Sequence, residues 1–180
     1  MKHLRSGFTL IELMVTMVII GIITGISVAS YSSFLQRERI NAVVTSLASW
    51  LNTISAQPDK LGYTCSISIR TGTLAAGSEL ASVTPAECST ESSLNLPSIG
   101  QTSTVTVAAT TQTFYFTPRG AFTTSPTTSN ANTSVTIRMS LAGASPLRCV
   151  RLSGALGTTS LGQNSSTGNV STDCTVWSRI

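Results

Sequence analysis

The apolar and polar positions in the first third of the chain predict one long helix with two different halves. Residues 8–29 are almost wholly apolar, and Glu12 is the one acid among them. A run of about 22 such residues is long enough to cross a bilayer core as a helix. Over residues 40–54 the apolar positions recur every three or four residues, which indicates a helix with one buried face. Pro58 ends this pattern. We therefore predict a helix over residues 8–57, with a membrane-spanning first part and an amphipathic second part.

After this helix the pattern changes to the alternation typical of β-strands. The alternating segments are short and are separated by turns rich in glycine, proline and serine. They cover residues 63–70, 104–107, 113–117, 134–141 and 147–153. Residues 71–103 and 154–173 carry mainly turn signals, and we predict loops there. A long helix followed by strands predicts an α+β fold, in which the amphipathic half of the helix packs on an antiparallel sheet formed by residues 58–180.

Charge and composition narrow the class of protein. Charged residues make up only 10% of the 180-residue chain, and the formal net charge is +4. Lys2 and Arg5 precede the apolar run, and the positive-inside rule places that end in the cytoplasm and the bulk of the chain outside it. Few charges and many serines and threonines suit an exported β-rich domain. They do not suit a cytosolic enzyme with a charged active site.

Four cysteines indicate disulfides rather than a metal or redox site. They are Cys65, Cys88, Cys149 and Cys174. None belongs to a CxxC pair, and the one histidine, His3, lies before the apolar run. An even number of cysteines in an exported domain favours disulfides, for which three pairings are possible. We favour Cys65–Cys88 and Cys149–Cys174, because each closes a loop of roughly two dozen residues. Four free buried thiols are the alternative.

The residues around Glu12 resemble a known signal. Residues 7–13, GFTLIEL, resemble the class III signal of type IV pilins and type II secretion pseudopilins. The resemblance implies that a prepilin peptidase removes residues 1–7 by cutting after Gly7, and that Phe8 is then N-methylated. It also implies that the protein is held in the bacterial inner membrane with its globular domain in the periplasm. An assembly platform in that membrane then draws it into a fibre with other pilins.

An acid inside an apolar span requires an explanation, because an unpaired charge there costs several kcal/mol. Cleavage after Gly7 creates an amine at Phe8. The resemblance implies that Glu12 of one subunit meets the Phe8 amine of a neighbour inside the fibre. An acid near the beginning of a helix also faces the positive end of the helix dipole. An incidental acid at the edge of a membrane span is the alternative.

A second resemblance concerns the strand region. Residues 114–120, FYFTPRG, and the later strands over 135–138 and 148–152 resemble the FimT/GspH-like subfamily of minor pilins. The resemblance implies a β-sandwich-like pair of sheets against the long helix. It also implies a minor subunit near the fibre tip that helps to initiate or cap assembly of a pilus used in twitching, adhesion or DNA uptake. A type II secretion pseudopilin and a DNA-binding pilin of natural transformation remain open as alternatives.

The stretch between Glu91 and Asp173 contains no acid. Its charged residues are all arginine: Arg119, Arg138, Arg148 and Arg151. Because the guanidinium fork suits phosphate, the resemblance to DNA-binding pilins implies these four as DNA contacts. Arg148 and Arg151 are three residues apart in a predicted strand and are expected on opposite faces, which argues against a single patch. The alternative is that the arginines pair with acids of residues 71–103 or cover the outer side of strands.

The sequence indicates no catalytic or cofactor site. The chain after Gly7 has no histidine, no GxSxG motif and no phosphate-binding GxxxxGK[ST] loop. Metal ligands other than the cysteines are lacking. We therefore expect no enzymatic activity, no cofactor and no metal, and we expect partners to be other pilins, the peptidase and the membrane.

Overall fold

The computed structural model describes residues 9–98, 104–125 and 133–179. The predicted long helix is present as α1, Leu10–Ser55. A short helix, α2, follows at once and covers Gln57–Leu61. Pro58 lies in the first turn of α2, where its missing N–H costs nothing because that N–H has no partner within the helix. The proline therefore ends the pattern of α1 and also begins a second helix, which the sequence analysis did not predict.

The chain forms two compact units that meet within α1, between Glu38 and Arg39. In the first unit, the side chains of residues 10–24 are exposed on every side of the helix. In the second unit, one face of α1 is buried. Its buried large apolar residues are Ile40, Val43, Val44, Leu47, Trp50, Leu51 and Ile54. The amphipathic half of the predicted helix is thus confirmed.

The first part of the predicted helix, residues 8–29, was expected to span a membrane. Within the described residues, no helix reaches the combination of length and apolarity expected of a bilayer span. The prediction that residues 8–29 cross a membrane is therefore not confirmed.

The rest of the described chain is built from short antiparallel strands. They are β1 Cys65–Ile69, β2 Gly72–Leu74, β3 Glu79–Thr84, β4 Ser93–Asn95, β5 Val105–Ala109, β6 Thr113–Phe116, β7 Phe122–Thr123, β8 Ser134–Leu141, β9 Ala144–Ser153, β10 Thr158–Asn164 and β11 Val176–Arg179. One sheet has the order β4-β3-β1-β6-β7, and the other has the order β11-β10-β9-β8-β5-β2. We call them the five-stranded and the six-stranded sheet. The predicted α+β class, a long helix packed on antiparallel sheets, is confirmed.

The predicted strands are present as β1, β5, β6, β8 and β9, but two segments predicted as loops also contain strands. Residues 71–103 include β2, β3 and β4, and residues 154–173 include β10. β10 has one large apolar residue, Leu161, and it is held by backbone pairing with β9 along its whole length. A strand of this kind has no hydrophobic alternation, and the periodicity that predicted the other strands therefore could not detect it.

One continuous core joins α1 to both sheets. Phe114 and Phe116 of the motif over residues 114–120 belong to this core, whereas Arg119 of the same motif is exposed. Phe114 and Phe116 of β6 pack with Phe122 of β7, and their ring centroids are 5.6–6.2 Å apart. The resemblance carried by this motif therefore concerns residues that stabilise the fold.

Candidate functional site

The beginning of α1 has the geometry of a capped helix. The backbone N–H of Glu12 donates to the carbonyl of Thr9 at 3.1 Å and lies 3.4 Å from the Thr9 hydroxyl. A threonine before a helix with a glutamate three residues later is the sequence form of a capping box. Glu12 therefore belongs to the capped first turn. This local role was not among the predictions, although the spacing of Thr9 and Glu12 in the sequence indicates it.

The residues after Glu12 form an apolar surface around α1. Each large apolar side chain from Leu10 to Ile23 is between 50% and 78% exposed. A contiguous exposed apolar surface of this extent marks a site of interaction with other apolar groups. This segment is the part of the described chain whose chemistry most clearly requires a partner.

The same segment carries the similarity to known proteins. Residues 2–28 match the prokaryotic N-terminal methylation motif. Two type IV major fimbrial proteins FimA of Dichelobacter nodosus are each 42% identical to the chain over 45 residues, which is 25% of this chain. The chain spans 29% of the length of these curated relatives. No solved structure matches the chain. The chain thus carries the N-terminal methylation motif of type IV pilin-like proteins.

The predicted processing residues fall inside the matched motif. Gly7 and Phe8 both belong to residues 2–28. They lie outside the residues that the structure describes, so the structure adds no geometry to the predicted cut after Gly7. Glu12 is the one predicted assembly residue whose surroundings are described.

The four candidate DNA-binding arginines do not form one patch. Arg119 is exposed in the turn between β6 and β7 of the five-stranded sheet, whereas the other three lie on β8 and β9 of the six-stranded sheet. Arg148 faces α1, and its Nε donates to Oδ1 of Asn41 at 2.6 Å. We call the side of the six-stranded sheet that faces α1 the inner face. The predicted separation of Arg148 and Arg151 onto opposite faces is confirmed.

Arg138 and Arg151 share the other side of the six-stranded sheet, which we call the outer face. Arg138 lies opposite Cys149 in the strand register, and Arg151 lies opposite Thr136. Arg138 forms an ion pair with Asp173 at 3.2 Å, and its side chain is 15% exposed. The predicted alternative, an acid of residues 71–103 as the partner, is therefore wrong for Arg138.

Trp177 is the central side chain of the outer face. The guanidinium carbon of Arg151 lies 3.7 Å from the centroid of its ring, in a cation–π arrangement. The ring also covers Gly162, because a Cβ built there would lie 2.7 Å from a ring carbon. The indole N–H donates to the carbonyl of Cys174 at 3.1 Å. The last strand is thus attached to its sheet by side chains as well as by the ladder.

Both favoured disulfides are present. Cys65–Cys88 joins β1 to a short 3₁₀ turn over Ala86–Cys88, and Cys149–Cys174 joins β9 to the segment before β11. The Cα atoms of the two pairs are 6.0 and 6.2 Å apart. In the described residues, three or more histidines, cysteines and carboxylates nowhere converge as metal ligands would. The expectations that the protein has no enzymatic activity and no cofactor stay predictions.

Proposed function

We propose that this chain is a minor pilin-like subunit of a type IV pilus. In this proposal a prepilin peptidase cuts after Gly7, Phe8 is methylated, and the first part of α1 anchors the protein in the inner membrane with its globular domain in the periplasm. An assembly platform then transfers it to the fibre, where it contacts other pilins. The observation that carries the proposal is the methylation motif over residues 2–28, which includes the beginning of α1, where every large apolar side chain from Leu10 to Ile23 is at least half exposed.

In this proposal Glu12 pairs with the new amine of a neighbouring subunit. Inside a bundle of apolar helices an unpaired carboxylate is strongly disfavoured, and so is an unpaired amine. Cleavage supplies one amine for each carboxylate, so each subunit brings both halves of a pair that two neighbours complete. The capped first turn fixes the backbone of Glu12 against Thr9, the residue that follows Phe8 in the sequence.

A minor role in initiating or capping the fibre is supported by the resemblance of residues 114–120 to FimT/GspH-like pilins. Deleting the gene tests this role, with surface fibres counted by electron microscopy and the wild-type gene returned as a control. We expect few or no fibres after deletion. Normal numbers of fibres and normal twitching would contradict the proposal. Normal fibres together with a block in enzyme export would favour a type II secretion pseudopilin instead.

DNA binding is the second candidate function, and on the outer face of the six-stranded sheet it would rest mainly on Arg151, because Arg138 is paired with Asp173. Arg138 and Arg151 lie on neighbouring strands of this face, in the part of the sequence that has no acid before Asp173. Binding through arginine and phosphate is electrostatic and weakens as salt rises. A mobility-shift assay of the mature chain in detergent, at low salt, tests it. Arg151→Ala should weaken the shift, whereas the matched inner-face variant Arg148→Ala should not. No shift, or equal shifts, contradicts this candidate.

A further inference from the structure

Two sequences of the form Asn-x-Ser lie five residues apart between the end of β10 and the beginning of β11. The first is Asn164-Ser165-Ser166, and the second is Asn169-Val170-Ser171. A third, Asn132-Thr133-Ser134, begins outside the described residues. In an exported protein such a sequence can accept a sugar chain on its asparagine when it lies on the surface. The structure describes the first two, and it shows them in opposite states.

The first sequence has its functional groups engaged within the protein. Nδ2 of Asn164 donates to the carbonyl of Asp173 at 3.2 Å. Oδ1 of Asn164 accepts the backbone N–H of Ser166 at 3.1 Å and the hydroxyl of the same serine at 2.6 Å. Asn164 is also half-buried at the end of β10. The amide nitrogen and the hydroxyl of this sequence therefore both have partners.

In the second sequence the same two groups are free. Oδ1 of Asn169 accepts the backbone N–H of Ser171 at 2.9 Å. Within the part of the chain that the structure describes, neither Nδ2 of Asn169 nor the hydroxyl of Ser171 has a hydrogen-bond partner. Both side chains are exposed. The second sequence therefore presents its amide nitrogen and its hydroxyl to a partner outside the chain.

The backbone around Asn169 is held by contacts that do not use its amide nitrogen. Gly168 is buried, and a Cβ there would overlap the carbonyl group of Ala144. The carbonyl of Asn169 accepts the backbone N–H of Thr172 at 3.1 Å and the hydroxyl of Thr172 at 2.7 Å. A sugar chain on Nδ2 of Asn169 would leave each of these contacts in place.

The free groups matter because of the chemistry of transfer. An amide nitrogen is a weak nucleophile, since resonance delocalises its lone pair into the carbonyl. A transferase must therefore reorient the amide of the asparagine, and it selects the acceptor by the hydroxyl two residues later. At Asn164 both steps require hydrogen bonds of the folded protein to break first. At Asn169 neither the nitrogen nor the hydroxyl has such a bond.

We propose that Asn169 is an acceptor site for N-linked glycosylation of the folded chain and that Asn164 is not. The co-substrate is a sugar chain linked to a lipid pyrophosphate. Nδ2 of Asn169 attacks the anomeric carbon, a C–N bond forms, and the bond from that carbon to the pyrophosphate oxygen breaks. One proton of Nδ2 passes to a base of the transferase, and the lipid pyrophosphate leaves. The inference rests on export to the periplasm, which is part of the proposed function.

Mass spectrometry of the mature chain, purified from the cells that naturally produce it, tests the inference. Peptide mapping should show a sugar chain on Asn169. Occupancy of Asn164 should be at least about tenfold lower, because two hydrogen bonds must break there first.

Three variants and a matched control test the assignment. Asn169→Gln and Ser171→Ala should each lose the modification, whereas Ser171→Thr, which keeps a hydroxyl, should retain it. Asn164→Gln is the matched control and should leave the modification of Asn169 unchanged. Asn169 and Ser171 are exposed, so we expect these variants to fold.

Three results would overturn the inference. An unmodified Asn169 excludes the site. A sugar chain that remains on this segment in Asn169→Gln assigns the modification to a serine or threonine hydroxyl. Equal occupancy of Asn164 and Asn169 means that transfer precedes folding, so that the folded structure does not select between the two.

The state of the cysteines separates this inference from the proposed function. Mass measurement without reduction reports the two disulfides, which form in an oxidising compartment such as the periplasm. An unmodified Asn169 in a chain with both disulfides overturns the inference and leaves export in place. Four free thiols would contradict export, and the inference would fail with it.

Discussion

At the scale of the residue, Gly157 lies against the aromatic cluster formed by Phe116 and Phe122. A Cβ at Gly157 would lie 2.8 Å from Cε1 of Phe116 and 2.9 Å from Cβ of Phe122. Its φ of +62° is also a conformation that other residues rarely adopt. Gly154 has a similar φ of +76°, but a Cβ there would meet nothing within 4 Å. The two glycines therefore share the backbone requirement and differ in packing.

We predict that Gly157→Ala lowers the free energy of unfolding by about 3 kcal/mol, because it adds overpacking to backbone strain. Gly154→Ala should cost about 1 kcal/mol from backbone strain alone. Urea unfolding of both variants measures the difference in unfolding free energy. The comparison requires that the slope of this free energy against urea concentration is the same in both variants. Equal losses of unfolding free energy in the two variants would show that the aromatic cluster moves to accommodate the added methyl group.

At the scale of the element, α1 combines two environments in one helix. Leu47 is fully buried in the core, whereas Leu13 is 51% exposed. Asn41 and Asn52 add polar contacts to the sheet, since Asn52 Oδ1 accepts a hydrogen bond from the Thr159 hydroxyl at 2.7 Å. The second half of α1 is therefore part of the globular unit by both apolar and polar contacts.

We predict that Leu47→Ala lowers the free energy of unfolding by about 3 kcal/mol, because it leaves a cavity in the core. Leu13→Ala, the same change at an exposed position, should alter it by less than about 0.5 kcal/mol. Denaturant unfolding followed by the fluorescence of the two tryptophans, Trp50 and Trp177, measures both. A comparable effect at Leu13 would mean that the first part of α1 contributes to the stability of the globular unit.

The last strand, β11, is held by a short ladder with β10 and by side-chain contacts. It has four residues and pairs with β10 alone. The Cys149–Cys174 disulfide and the packing of Trp177 over Gly162 supply the remaining contacts. Short edge strands without such contacts open easily.

We predict that changing Cys149 and Cys174 to serine speeds amide exchange in β10 and β11 and costs about 3 kcal/mol. Changing Cys65 and Cys88 to serine should cost a similar amount, because the two loops have similar lengths of 23 and 25 residues. The faster exchange should then appear around the 3₁₀ turn instead. Hydrogen exchange by mass spectrometry distinguishes the two patterns, and one uniform pattern would contradict the prediction.

At the scale of the whole molecule, the proposed fibre role predicts that assembly and folding respond to different residues. Glu12→Ala should leave the unfolding of the globular unit unchanged and lower the amount of the protein in sheared fibres by about tenfold. The reason is that the Phe8 amine of a neighbour loses its partner in apolar surroundings. Immunoblots of fibre and cell fractions measure this, with Glu38→Ala as the control.

Thr9→Ala separates the two roles of Glu12. It removes the capping hydroxyl and keeps the carboxylate, so it should weaken the first turn of α1 with little effect on the fibre fraction. Equal loss from fibres with Thr9→Ala and Glu12→Ala would indicate that the cap, rather than the charge pair, is what assembly requires.

The sequence predicted those elements that have a clear periodicity of apolar residues. The amphipathic half of α1, the strands β1, β5, β6, β8 and β9, and both disulfides are present as predicted. It did not predict β10, because a strand with one large apolar residue is formed by pairing with a neighbour rather than by its own pattern. The separation of Arg148 from Arg151 was predictable because side chains alternate along a strand.

By itself the sequence determined the N-terminal signal and the α+β class, because each of these depends on patterns of residues close together in the chain. It favoured the cysteine pairs among three possible pairings, and the structure decided them. The tertiary structure decided which residues, far apart in the sequence, strand pairing brings into contact. It placed Arg138 beside Asp173, Arg151 on Trp177, and Arg148 against Asn41 of α1. These contacts depend on strand register and on the docking of α1, both of which are set by the packing of the whole core.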